Sequence, residues 1–295
     1  PLVSLLLAPD ARLQVQAAVA LRNLSINPKN KASLVREGSL VPLVGLLRSV
    51  NLKVQESAVV TLRNLSSDPA NEVAIVREGA LVPLFALLRS PHEMIYEHAA
   101  IVLRHLSVHA QNKADMVREG GLPYFIALLR STNEQAQEHA AVLMQNLAMD
   151  PTNQLKIARE GGLPPIVALL RSNNQRVRDH AARALQNLSV HPDNELTIVQ
   201  EGALPLVIGL LRSPNELLQQ LSAGVLRNLA SNLVNQARIV QEDGLPPLLA
   251  LMRSTKPAVV EQAVACVRNL SIHADNEVRI VGSNGLPSIV ECLER

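Results

Sequence analysis

Tryptophan is missing from this sequence, and only four of its 295 residues are aromatic, two Phe and two Tyr. Whatever core it builds must therefore come from aliphatic side chains, and these are plentiful, since 47% of residues are hydrophobic. That content excludes a disordered chain, which would be poor in Leu, Ile and Val. Cysteine occurs twice, too rarely for a disulfide framework, and a reducing compartment fits. Charge of one sign is lacking too: Lys plus Arg less Asp plus Glu is 28 − 26 = +2. No global field steers such a chain to nucleic acid or to a membrane. Apolar runs such as Leu81 to Leu88, eight residues, fall well short of a membrane-spanning helix. The opening Pro1-Leu2-Val3-Ser4-Leu5 has neither the basic start nor the cleavage site of a signal peptide.

What the sequence does have is a period. The string L-R-N-L-S occurs at 21–25 and 62–66, and as L-R-N-L-A at 226–230. Aligning its Asn gives Asn23, Asn64, His105, Asn146, Asn187, Asn228 and Asn269, each 41 residues after the last. A second column is Asn throughout, at Asn30, Asn71, Asn112, Asn153, Asn194, Asn235 and Asn276. Such self-similarity marks a repeat architecture and outweighs any local signal.

Each unit reads as three helices. The first is expected to open at the Asn30-type residue as its N-cap, and to end at Gly38, Gly79, Gly120, Gly161 or Gly202, where a left-handed residue is needed. Asp243 and Asn284 take that place in the last two units. The second helix is expected to start at a proline (Pro42, Pro83, Pro123, Pro164, Pro205, Pro246, Pro287). The long third helix is expected to begin at Ser49 to Ser254 and to end after L-R-N-L-S. A small-residue column, Ala17, Ala58, Ala99, Ala140, Ala181, Ser222 and Ala263, lets neighbouring third helices approach closely. No unit closes a core alone, so the units must stack as an all-α solenoid.

The three-helix unit, the segment I-V-x-E-G-x-L-x-P and the N-L-S ending resemble the armadillo-repeat family over the whole chain. The wording of L-R-N-L-S is similar to beta-catenin and plakoglobin repeats and to vacuolar and plant armadillo proteins. The resemblance implies a right-handed superhelical solenoid forming a single array: a partial repeat 1–29, repeats 30–70, 71–111, 112–152, 153–193, 194–234 and 235–275, and a partial repeat 276–295. Pro1 and Arg295 both align inside second helices, without polar capping repeats. That predicts a piece of a longer array or an engineered one, with end-to-end self-association through uncapped ends.

The resemblance also implies that the third helices line a concave groove. At about 100° per residue, positions 8, 7, 4 and 1 before the L-R-N-L-S Asn share a broad face with it. An Asn amide presents a donor and an acceptor, matching the backbone of an extended peptide. Asn23, Asn64, Asn146, Asn187, Asn228 and Asn269 are thus candidate peptide-binding residues, with His105 as the one departure. Beside them run Arg22, Arg63, Arg104, Gln145, Gln186, Arg227 and Arg268. Eight before the Asn lie Glu56, Glu97, Glu138, Asp179 and Glu261, with Val15 and Gln220 in the other two units. The two stripes either neutralise each other along the scaffold, or the arginines bind carboxylates or phosphates of a partner.

His98, His139 and His180, seven before the Asn, read as polar groove lining with a mild pH response rather than a metal site. Packed helices lie about 8–10 Å apart, and zinc ligands converge at about 2.0–2.1 Å. Cys266 and Cys292 read as core hydrophobes. With no phosphate loop and no nucleophile–base pairing, no enzyme, catalytic residue, metal or cofactor is expected. The expectation is a scaffold or adaptor, cytoplasmic and also nuclear, that binds extended, acidic or phosphorylated segments of other proteins. Nucleic acid and membrane insertion are not expected. Two alternatives stand beside it: a nuclear-import receptor similar to importin-alpha, and a purely structural array. Import receptors pair Trp with Asn, whereas the position four before the Asn here holds Val19, Val60, Ile101, Val142, Arg183, Gly224 and Ala265.

Overall fold

The computed structural model describes residues 2–283 and 285–293, and among them there are helices and no strands. The chain forms two compact units, Pro1–Asp150 and Pro151–Arg295. In the N-terminal unit the third helices are Ala11–Leu24, Leu52–Ser66, Glu93–Leu106 and Glu134–Leu147. In the C-terminal unit they are Gln175–Leu188, Glu216–Leu229 and Pro257–Leu270. Within each unit, successive third helices pack on one another. The small-residue column sits at the contact, with Ala58, Ala99, Ala140 and Ala263 at 0% exposure. No described helix is long and apolar enough to cross a membrane.

The fold class matches the expectation from the period, but the helix starts are corrected. First helices run Pro28–Arg36, Pro69–Arg77, Ala110–Arg118 and Pro151–Arg159, and onward at the same spacing. They therefore open before the Asn30 column rather than at it. The caps are Asn27, Asp68, His109, His191 and Asn232, whose side chains accept backbone N–H groups of the first turn. Proline directly after the cap explains the shift, because its fixed φ and missing N–H suit the first helical position.

The all-Asn column is internal instead. Asn71, Asn112, Asn194 and Asn235 are buried, at 0–4% exposure. Asn71, Asn112 and Asn194 donate to the carbonyls of Leu65, Leu106 and Leu188, the free ends of the preceding third helices. Asn194, Asn235 and Asn276 also donate to Gln154, Glu195 and Gln236, 40 residues back, so one amide stitches two repeats together.

Second helices begin one or two residues before the expected proline, at Leu40, Leu81, Leu122, Leu163 and Leu245. Third helices begin after Asn51, Asn133, Asn174 and Asn215, which are the true caps. Ser49, Ser131 and Ser213 precede those caps and accept their N–H groups. Gln55, Gln137 and Gln219 then reach back to the carbonyls of Leu47, Ser131 and Ser213, at or just past the ends of the second helices. Gly38, Gly79, Gly120, Gly161 and Gly202 are left-handed as expected, and Asp243 joins them at φ 60°. Asn284 and the Cys292 side chain lie outside the described residues. Cys266 is fully buried, which holds its thiol far above the ordinary range.

Candidate functional site

The repeat places the Asn and Arg columns near the C-terminal ends of the third helices, where Asn64, His105, Asn146, Asn228 and Asn269 meet the repeat before them. The serine of N-L-S organises that joint. Ser25, Ser66, Ser107 and Ser189 are fully buried or nearly so. Their hydroxyls donate to the carbonyls three residues earlier, Arg22, Arg63, Arg104 and Gln186. Each serine oxygen then remains as an acceptor, and the next repeat fills it. Asn64, Asn146 and Asn228 donate Nδ2 to Ser25, Ser107 and Ser189 at 3.0, 2.8 and 2.9 Å.

The amide nitrogens of these Asn side chains therefore latch the previous repeat rather than their own helix, with one hydrogen at Asn64 and Asn146, while Asn228 also donates to the Gln186 carbonyl at 3.3 Å. On the acceptor side, Arg227 and Arg268 donate to the Oδ1 atoms of Asn228 and Asn269 at 3.0 and 3.1 Å, and Arg63 approaches Asn64 at 3.4 Å.

His105 substitutes for Asn with the same geometry. Its Nδ1 lies 3.0 Å from the Ser66 oxygen. Because Ser66 spends its hydrogen on Arg63, the bonding pattern places the ring hydrogen on Nδ1, leaving Nε2 as an acceptor. Burial, then Arg104, Arg63 and Lys31, lower its pKa to about 4. His98 and His139 are also held below the ordinary range, by burial first and by Arg63 and Arg104 next. These rings are neutral at pH 7. Among the described residues no three His, Cys, Asp or Glu side chains gather as a metal would require.

The acidic stripe behaves unevenly. Arg22 reaches Glu56 of the next repeat at 3.7 Å, with both side chains about a third exposed. Asp179 accepts from Asn215 at 3.1 Å, and burial raises its pKa. Glu97 and Glu138 are half-buried and Glu261 is exposed. Asn23 and Arg268 are exposed, while Arg63, Arg104, Asn187 and Arg227 are half-buried.

In the N-terminal unit the two columns open onto one cavity of about 470 Å³, which Arg22, Asn23, Glu56, Arg63 and Asn64 line together. Sequence reading missed two of its walls. Lys31, on a first helix, donates to Ser67, and Ile26 follows directly on N-L-S. Lys31 belongs to no regular charge column. Ile26 does belong to a visible column, with Val108, Met149, Val190 and Ile272, all 58–67% exposed.

Comparison with known proteins places this arrangement. No curated protein matches the chain. An engineered protein of known crystal structure is 30% identical, with a TM-score of 0.90 over 98% of this chain and 72% of that one. A second engineered protein is 31% identical, with a TM-score of 0.73 over 79% of this chain and 96% of that one. A designed armadillo repeat protein, solved in complex with the peptide (KR)4, is 24% identical and shares the fold, at a TM-score of 0.70 over 77% of this chain and 98% of that one.

The family model for the Armadillo/beta-catenin-like repeat matches residues 1–26, 27–67, 109–149, 150–190, 191–231 and 234–272. Its phase starts at the true cap, Asn27, and residues 68–108 between the matches carry the same three helices, Pro69–Arg77, Leu81–Leu87 and Glu93–Leu106. Shared period, shared helices and matched repeats over most of its length make this chain a member of the armadillo-repeat family.

Proposed function

We propose that the chain is a non-enzymatic scaffold, cytoplasmic and also nuclear, that holds extended segments of partner proteins along its third-helix face. The observation that carries this reading is the N-terminal cavity, where Arg and Asn of successive repeats line one recess. The role of the Asn column is narrower than a free donor–acceptor pair. Asn64 and Asn146, each with one latched hydrogen, offer the remaining N–H to a peptide carbonyl, and His105 offers an acceptor, Nε2, to a peptide N–H. An extended strand rises about 3.3 Å per residue, so an inter-helix step of about 8–10 Å meets every second or third peptide residue. Sequence choice then falls to the arginines, which favour acidic or phosphorylated side chains.

Designed relatives support the general use of this fold, since one is described as made for modular peptide recognition. The basic ligand of the (KR)4 complex does not transfer, because the arginine column here would repel it. The same argument, with the absence of tryptophan, sets this chain apart from an import receptor.

The test is a peptide-binding titration against acidic and neutral extended peptides. Arg63→Glu with Arg104→Glu should weaken acidic ligands selectively and flatten the salt dependence. If that pair and Asn146→Ala with Asn187→Ala both leave affinity unchanged while substitutions on the second helices reduce it, the face is wrongly assigned.

A further inference from the structure

The cavity of the N-terminal unit combines an excess of positive charge with an apolar wall. Three cations reach it from three helices: Arg22 from Ala11–Leu24, Lys31 from Pro28–Arg36 and Arg63 from Leu52–Ser66. Glu56 is the one carboxylate among its lining residues. Counting these four groups gives 3 − 1 = +2. His98, which also lines the cavity, adds no charge, because burial and Arg63 keep it neutral. Arg22 is only loosely satisfied by Glu56, at 3.7 Å. A single carboxylate would leave this site with a net positive charge. A phosphate monoester carries about −1.5 to −2 at pH 7 and three acceptor oxygens, which matches the local charge and the three donors.

The apolar wall is the second observation. Ile26 and Met94 border the same cavity at 67% and 52% exposure. A cationic recess beside two exposed aliphatic side chains suits a segment that presents a phosphate and an apolar side chain close together.

We infer that this cavity is a phosphoresidue subsite, taking a phosphorylated serine or threonine of the bound segment on Arg22, Lys31 and Arg63 while an aliphatic neighbour in that segment packs on Ile26. The inference rests on the groove reading above, and it adds Lys31 and Ile26, which lie outside the two columns. Guanidinium forks grip two phosphate oxygens, and the ammonium supplies a point charge on the third side.

Free O-phosphoserine is the first probe, followed through the arginine side-chain NMR resonances of the whole chain. Arg22 and Arg63 should shift in a saturable way, and free glutamate at the same concentrations should not reproduce it. Lys31→Ala should weaken the phosphoserine response by about tenfold, the loss expected for one charge-assisted bond. Lys31 is half-buried on a first helix and is not among the buried apolar residues, so the substitution removes its charge and its bond to Ser67 without opening the core.

The second probe is a nine-residue peptide library with a fixed central phosphoserine or serine. Phosphoserine peptides should bind more tightly, with aliphatic residues enriched beside the phosphate, and Ile26→Asp should erase the aliphatic preference alone. Peptides that bind with arginine dependence but without phosphate preference would overturn the subsite and leave the groove standing. A phosphoserine response without any peptide binding would overturn both the peptide subsite and the groove reading. Binding of a single-stranded oligonucleotide as tightly as the phosphopeptide would overturn the assignment to a monoester.

Discussion

In the N-terminal unit Asn64 and Asn146 rest on the hydroxyls of Ser25 and Ser107, at 3.0 and 2.8 Å. Towards the end of the C-terminal unit the third helix finishes in Ala230, and there Asn269 donates to the Arg227 carbonyl instead, at 3.0 Å. Asn228 shows how close the two arrangements are. It donates to Ser189 at 2.9 Å and to the Gln186 carbonyl at 3.3 Å. The joint thus tolerates loss of the hydroxyl because the backbone carbonyl beneath it is a second acceptor. The buried Asn column differs between the units as well. Asn71 and Asn112 donate to a carbonyl at the end of the third helix before them, whereas Asn194 and Asn276 divide Nδ2 between that carbonyl and one in the first helix of the preceding repeat. Side-chain amides bridge successive repeats in both units.

The largest effect should come from the buried column. Asn194→Ala removes two buried hydrogen bonds where Asn112→Ala removes one, and should cost about 3 kcal/mol against about 1–2 kcal/mol. Because repeat arrays open locally, amide hydrogen exchange around Leu188 and Gln154 is the measurement. Equal losses at both positions would remove the distinction between the units.

A smaller effect separates His105 from the Asn joints. Its folded-state pKa, about 4, lies below the ordinary value of 6.5. The unfolded chain therefore takes up the proton first. Stability from the neutral ring is present above pH 6.5 and is lost as pH falls from there towards 4. His105→Asn should reduce that decline, and NMR of the ring should show no protonation above pH 5. A ring that titrates near 6.5 in the folded chain would contradict the latch to Ser66.

The smallest effect tests the hydroxyl itself. Ser189→Ala should cost about 1 kcal/mol or less, since Asn228 keeps its carbonyl partner. Ala230→Ser should return up to about 0.5 kcal/mol and move Asn269 onto the new oxygen. Thermal denaturation of both variants, with a crystal structure of the second, checks the pair.

The 41-residue period alone determined the helical class, the stacking and the glycine turns, because a repeated pattern of aliphatic and small residues has one way to bury itself. It also brought the Arg and Asn columns to the ends of the third helices, since helical spacing fixes which residues share a face. It did not distinguish the two Asn columns. An exposed cap and a buried bracket use the same amide, and the choice turned on Asn27 and Pro28, whose cap and N1 preferences moved the helix start ahead of Asn30. Only the tertiary structure showed that Ser25 and Asn64 meet across 39 residues, and that Lys31 and Ile26 close a cavity around Arg22 and Arg63. Those contacts depend on how one repeat seats on the next, and a sequence period records spacing along the chain rather than the direction in which each side chain crosses the joint.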